Sequence, residues 1–197
     1  MLRYLLLALT FCAAGCQQNA IRPIFFVDGS VDAEALAGRR AAALLESNYG
    51  GLEPCAAAES RMQRVAMTLA RGAGAQPAEM WYFYLLASPR PNAFSLPGNR
   101  VYVTCGLYEQ IGDDDALLAA ALAHEMAHIQ RRDSLKPACR DTRESLEREM
   151  AADAIGVSFL RRAGMPPESM ARLLNLVADA QPRGWAQQRI DSLSSVR

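Results

Sequence analysis

His124-Glu125-Met126-Ala127-His128 contains both histidines of this 197-residue chain, one helical turn apart, with a carboxylate beside the first. At about 3.6 residues per turn the two imidazoles project from one helix face and Glu125 is turned roughly 100° away, so both rings can share one ion. H-E-x-x-H on a helix is a zinc-binding pattern in which the glutamate serves as general base. The flanking residues predict that helix. Gly112-Asp113-Asp114-Asp115 offers N-cap aspartates whose charge suits a helix N-terminus. Ala116 to Ala123 reads Ala-Leu-Leu-Ala-Ala-Ala-Leu-Ala, and a helix with no polar face has to be buried, which places the histidines at the floor of a cleft. Gln130-Arg131-Arg132-Asp133 ends it, with arginines meeting the negative helix end.

A hydrolytic zinc takes three protein ligands and leaves a fourth position to water. With no third histidine in the chain, the third ligand has to be of another kind. In Glu149-Met150-Ala151-Ala152-Asp153 the two carboxylates share a face at i,i+4 spacing, on a return helix opened by Asp141 and Glu144 in capping-box spacing and stopped at Gly164 before Pro166-Pro167. Glu149 is therefore expected on the metal, and Asp153 behind it, accepting the free N–H of a ligating histidine. The plainer alternative for Asp153 is a solvated helix charge. An accidental H-E-x-x-H is the alternative for the motif itself, opposed by the second acidic motif that follows it.

Upstream, helices are predicted from about Asp32 to Ser47, ended by Gly50-Gly51, and from about Cys55 to Arg71, ended by Gly72-Ala73-Gly74. The aromatic run Trp81 to Leu86 has strand preference. Asn92 to Leu96, the turn residues Pro97-Gly98-Asn99, and Arg100 to Thr104 read as a hairpin or small antiparallel sheet beside the motif helix. Its outer strand either presents backbone groups to an extended peptide or only covers the core. A further helix is expected from about Glu168 to Ala180. The fold class is α+β and predominantly helical.

The N-terminus reads as an export signal: Arg3, an apolar run from Leu5 to Phe11, then Ala13-Ala14-Gly15 immediately before Cys16. The run is too short to span a membrane, which needs about 20 apolar residues. It resembles a bacterial lipoprotein signal, with Ala13 where leucine is commoner. That resemblance implies cleavage before Cys16, acylation of Cys16 and, since Gln17 is not aspartate, sorting to the outer membrane, facing the periplasm. An ordinary secretory signal with a chance cysteine is the alternative. The expected organisation is a signal peptide at 1–15, a lipidated N-terminus and tether at 16–30, and one metallopeptidase domain at 31–197. Basic and acidic residues balance at 21 each, and no basic block points to nucleic acid. Cys55, Cys105 and Cys139 allow at most one bridge within the mature chain, with Cys55–Cys139 preferred over three unpaired thiols by a small margin.

Together, His124 to His128, Glu149 with Asp153, and Asn92-Ala93-Phe94-Ser95-Leu96-Pro97-Gly98 followed by Val101-Tyr102-Val103-Thr104 resemble the HtpX-like and CAAX-prenyl-protease-like zinc endopeptidases. The nearest likeness is to the exported, BepA-like branch without transmembrane helices, over roughly residues 30 to 195. The resemblance implies a gluzincin (zincin-like) fold with one zinc per chain held by His124, His128 and Glu149. It implies Glu125 as the catalytic base, and a substrate groove bordered by Asn92, Ala93 and Phe94. It also implies that the substrates are misfolded or unassembled envelope proteins; a chaperone-like factor that binds unfolded chains with little cleavage is the alternative, and a zinc hydrolase of small amides or cell-wall peptides is a third reading. One departure is that Gln181-Pro182, rather than His-Pro, precedes Arg189-Ile190. Its bearing is on regulation and oxyanion stabilisation, for which Arg189 is either a donor or a solvated C-terminal arginine.

Overall fold

The computed structural model describes residues 31–73 and 81–194. The expected signal peptide, the acylated Cys16 and the tether lie outside the described residues. In chain order the elements are α1 (Val31–Asn48), α2 (Ala56–Ala73), β1 (Tyr82–Leu86), β2 (Ala93–Leu96), β3 (Arg100–Thr104), α3 (Cys105–Ile111), α4 (Asp115–Gln130), α5 (Thr142–Arg162), α6 (Ser169–Leu176) and α7 (Trp185–Leu193). Helices dominate and one three-stranded sheet accompanies them, the α+β architecture expected of a zincin-like peptidase domain.

Strand order is β1-β3-β2. The expected hairpin is present: β2 runs antiparallel to β3, with Phe94 opposite Tyr102, through a turn in which Gly98 and Asn99 both have positive φ. β1 joins on the other side of β3 and runs parallel to it, Phe83 opposite Val101, so the sheet is mixed. β3 takes the centre, with Val101, Tyr102 and Val103 buried, whereas β1 on one outer side exposes Tyr82. The outer side of β1 is partly occupied: Leu52 bridges Leu86, and Glu53 N–H donates to the Leu85 carbonyl at 2.9 Å. Among the described residues, β2 is the other outer strand, its four residues buried where it lies against α4 and α1.

α4 is the centre of the main core. Every residue from Leu117 to His128 is buried, as an all-apolar helix surface requires, and α2, α5 and α6 pack round it. Asp114 caps it, accepting from the N–H groups of Ala116 at 2.9 Å and Leu117 at 3.1 Å. α5 is capped by Asp141, which accepts from Glu144 N–H at 2.8 Å; Glu144 reaches back to the Arg140 N–H rather than that of Asp141, one residue out of capping-box register. Gly156 lets α5 come close to α4. A Cβ there would lie 2.6 Å from the Met170 terminal methyl and 3.3 Å from the His124 backbone nitrogen. A smaller core beneath α1 joins Ala41 and Leu45 to Leu86, Phe94 and Tyr102. No helix among the described residues is long and apolar enough to cross a membrane.

The expected Cys55–Cys139 bridge is not formed; all three described cysteines are free thiols. Cys55, just before α2, lies within electrostatic reach of Cys105. Cys139 instead neighbours Glu144, Ser145 and Arg148 near the start of α5.

Candidate metal centre

α4 delivers His124 and His128, and α5, packed across it, delivers Glu149 and Asp153 from one face at i,i+4 spacing. Gly156, at i+7 from Glu149, is on that same face, so the point where α5 touches α4 most closely also aims the carboxylates at the histidines. His124, His128 and Glu149 are buried and bring ligand atoms within 4.8 Å of one another. His124 Nε2 lies 3.1 Å from His128 Nε2, 3.3 Å separates His124 Nε2 from Glu149 Oε2, and 3.5 Å separates His128 Nε2 from Glu149 Oε1. A tetrahedral ion with bonds near 2.0 to 2.2 Å needs ligand atoms about 3.3 to 3.6 Å apart. The two histidine–glutamate separations are at that spacing, the histidine pair is slightly closer, and the donor set is one that a zinc ion takes. Glu149 Oε2, buried and without a hydrogen bond, is an acceptor aimed into the same space.

The outer nitrogens of both rings are also engaged. His124 Nδ1 is 2.9 Å from Asp153 Oδ1. Asp153 in turn accepts two 2.7 Å bonds from Arg189, Nε to Oδ2 and Nη2 to Oδ1. His128 Nδ1 is 2.9 Å from Asp133 Oδ2, which also accepts from Arg131 Nε at 2.8 Å, while Asp133 Oδ1 accepts from Lys136 Nζ at 2.6 Å. Both carboxylates are saturated with cationic donors and stay ionised. Burial pushes the Asp153 carboxyl upward, but the Arg189 charge and hydrogen bonds outweigh it and hold it below the ordinary value. For Asp133 burial is likewise overcome by donation from His128, Arg131 and Lys136. Burial also opposes charge on His128, yet the Glu149 carboxylate and the Asp133 bond push its pKa up to about 10 in the absence of metal. Glu149, against its own burial, is held well below the carboxylate range by the same histidines.

Glu125 is 3% exposed on α4. Its negative charge is felt by both His128 and Arg189. Of the three groove residues, Ala93 and the half-buried Asn92 line a small apolar pocket with Ala121, Leu173 and Val177. Ala121 is one turn before His124, so that pocket adjoins the histidines. Phe94 does not line it. Strand alternation turns its ring to the other face, where it meets the edge of Tyr49 at 4.6 Å. Arg189 is not solvated: it is 1% exposed, and its Nη1 donates to Gln181 Oε1 at 2.9 Å and lies 3.4 Å from Glu149 Oε2. Gln181 is thus committed to Arg189.

Residues 56–147 match Peptidase family M48. The matched stretch is a little under half of the chain. The M48 match takes in α2, the sheet, α3 and α4 with His124, Glu125 and His128, and ends just before Glu149. Over 54 residues the chain is 44% identical to the mitochondrial metalloendopeptidase OMA1 of Schizosaccharomyces pombe, a stretch covering 27% of this chain and 16% of that protein. The chain therefore spans well under a quarter of the length of this relative.

Asp133, Gly156 and the bonding of Arg189 were not anticipated. Asp133 looked like one more charge at a helix end; the only sequence signal was an acidic residue between Arg131-Arg132 and Lys136, five positions after His128.

Proposed function

We propose that this domain is a zinc-dependent endopeptidase of the M48 type, with one zinc held by His124, His128 and Glu149. The reading rests on one observation above all: three buried residues bring ligand atoms within 4.8 Å of one another, and the outer nitrogens of the two rings are already engaged by carboxylates. Zinc bound there supplies Lewis acidity, polarising a peptide carbonyl and lowering the pKa of water toward about 7. The chain's own residues carry the rest. Glu125, one position from a ligand and turned off the ligand face, accepts the proton of the attacking water at its carboxylate. It then returns that proton to the leaving amine nitrogen, acting as base and then acid. β2 is an outer strand of the sheet, and an extended polypeptide adding along it would pass the small apolar pocket by Asn92, Ala93 and Ala121.

The substrates fitting an extended, strand-adding mode are unfolded polypeptides. The lipoprotein-like N-terminus with Cys16 supports a lipid-anchored enzyme of the BepA-like branch at the outer membrane, facing the periplasm and acting on misfolded or unassembled envelope proteins. Glu125→Gln is expected to bind zinc as the parent does and to cleave an unfolded polypeptide such as reduced casein at least about 100-fold more slowly, consistent with general acid–base contributions. Undiminished cleavage by the metal-loaded variant removes the assigned role. Cleavage that persists in the parent after a chelator has removed the metal counts against the enzyme reading as a whole; binding without cleavage favours the chaperone-like alternative.

A further inference from the structure

We infer that Asp133 is a positioning residue: it holds His128 as the Nδ1–H tautomer and so keeps the Nε2 lone pair directed at the metal. The inference rests on the zinc site proposed above and extends it to a residue outside the ligand set. A neutral imidazole has one donor and one acceptor nitrogen, and which is which depends on what its neighbours demand. Here the neighbours leave one solution. Asp133 Oδ2 faces His128 Nδ1 at 2.9 Å and Arg131 Nε at 2.8 Å, and Oδ1 faces Lys136 Nζ at 2.6 Å. Arginine and lysine only donate, so the carboxylate only accepts, and Nδ1 has to carry the hydrogen. That leaves Nε2, 3.1 Å from its counterpart on His124, as the acceptor.

The backbone is arranged to bring this carboxylate under the ring. α4 ends at Gln130, Arg131 caps it with its N–H on the Ala127 carbonyl, and Arg132 adopts a left-handed conformation with φ 54°. The left-handed residue turns the chain back, and Asp133, five residues past His128, starts a short 3-10 turn to Leu135 with only 1% exposure. A buried carboxylate is costly unless fully bonded, and here each oxygen has a donor. Asparagine cannot reproduce this. Its carboxamide offers one acceptor and one NH2 to three donors, so either Lys136 faces an N–H or the pair His128 and Arg131 does. In the second case the amide donates to Nδ1 and favours the hydrogen on Nε2, where the metal has to bind.

The test uses the full chain labelled with 15N-histidine; two histidines give only four ring nitrogens, which correlations to the ring protons group by ring and a His124→Gln spectrum assigns to residue. In the zinc-loaded parent, the His128 Nδ1 resonance is expected at the protonated shift and Nε2 at the metal-bound shift. Asp133→Asn is expected to raise the zinc dissociation constant about 10–100-fold, measured by competition with a chromogenic chelator. In the metal-free variant at high pH it should also shift the His128 tautomer population toward Nε2–H. A dissociation constant within threefold of the parent, with the tautomer unchanged, overturns the inference. Should Asp133→Asn fail to fold, the double variant Arg131→Gln with Lys136→Gln leaves the carboxylate in place but unclamped; weaker zinc binding supports the role and parental binding overturns it. If the parent itself binds no zinc, the site reading falls and this inference with it; if the parent binds zinc and the variants bind it equally, only the role of Asp133 falls.

Discussion

His124 and His128 each rest on an aspartate at 2.9 Å, but the two supports are built from different material. Asp153 comes from another helix and is neutralised by Arg189, itself 1% exposed and 36 residues further on. Asp133 comes from the end of the same helix, and the cations behind it reach solvent, with side-chain exposures of 23% for Arg131 and 41% for Lys136. The first support exists only when α4, α5 and α7 are packed together, and its charges are shielded from salt. The second is local in sequence, and its outer charges are screened over about 8 Å at physiological ionic strength. One chemical device is thus obtained once by long-range folding and once by a tight turn.

The largest effect should come from breaking the packed support. Arg189→Met leaves Asp153 and Glu149 as buried carboxylates without their cation, which typically costs 3–5 kcal/mol or about 10 °C in the unfolding midpoint of a domain this size. Thermal unfolding followed by circular dichroism checks it, and a loss under about 1 kcal/mol would show that α7 does not secure the site. Next is the helix contact that aims both carboxylates. Gly156→Val pushes into Met170 and the α4 backbone at His124, an overpacking that typically costs 1–3 kcal/mol. Zinc affinity should fall with it, because Glu149 is on the displaced face.

Proton linkage sharpens the comparison at His128. Its metal-free pKa is raised to about 10, chiefly by Glu149 and Asp133 acting against burial. A raised histidine pKa stabilises the fold fully below the unfolded value near 6.5, and that stabilisation is lost as pH rises through the folded value. The metal-free protein should therefore lose stability from about pH 6.5 towards 10. Zinc binding at neutral pH should expel that proton, so that affinity climbs close to tenfold per pH unit in the lower part of the window, measurable by calorimetry in buffers of different ionisation enthalpy. The smallest effect belongs to the exposed clamp. Lys136→Gln should cost under about 1 kcal/mol, and the difference from the parent should vanish near 1 M salt.

What could be read from the sequence follows the same division between near and far. α4 was legible because its apolar run, its aspartate cap and its paired histidines are all local, and α5 because Glu149 and Asp153 repeat at the helical period. The hairpin declared itself through Pro97-Gly98-Asn99. The parallel docking of β1 was hidden, since its partner β3 is separated from it in sequence by β2 and no local turn signal joins the two. For Arg189 the sequence leaves a donor and a solvated C-terminal arginine as alternatives, because its partner Asp153 is on another helix. Phe94 was assigned to the groove with its neighbours, although strand alternation has to turn one of two adjacent side chains away. Gly156 gave no signal in the sequence, since its role as a point of close contact between α4 and α5 depends on how the two helices pack.

Because the guanidinium that neutralises Asp153 is carried by α7, the ribosome has to deliver 36 more residues before that carboxylate meets its cation. Until then Asp153 enters an apolar setting with only His124 beside it to offset its charge, and the ring it orients is less firmly seated. The orientation of His124 is therefore completed only when α7 packs onto α5.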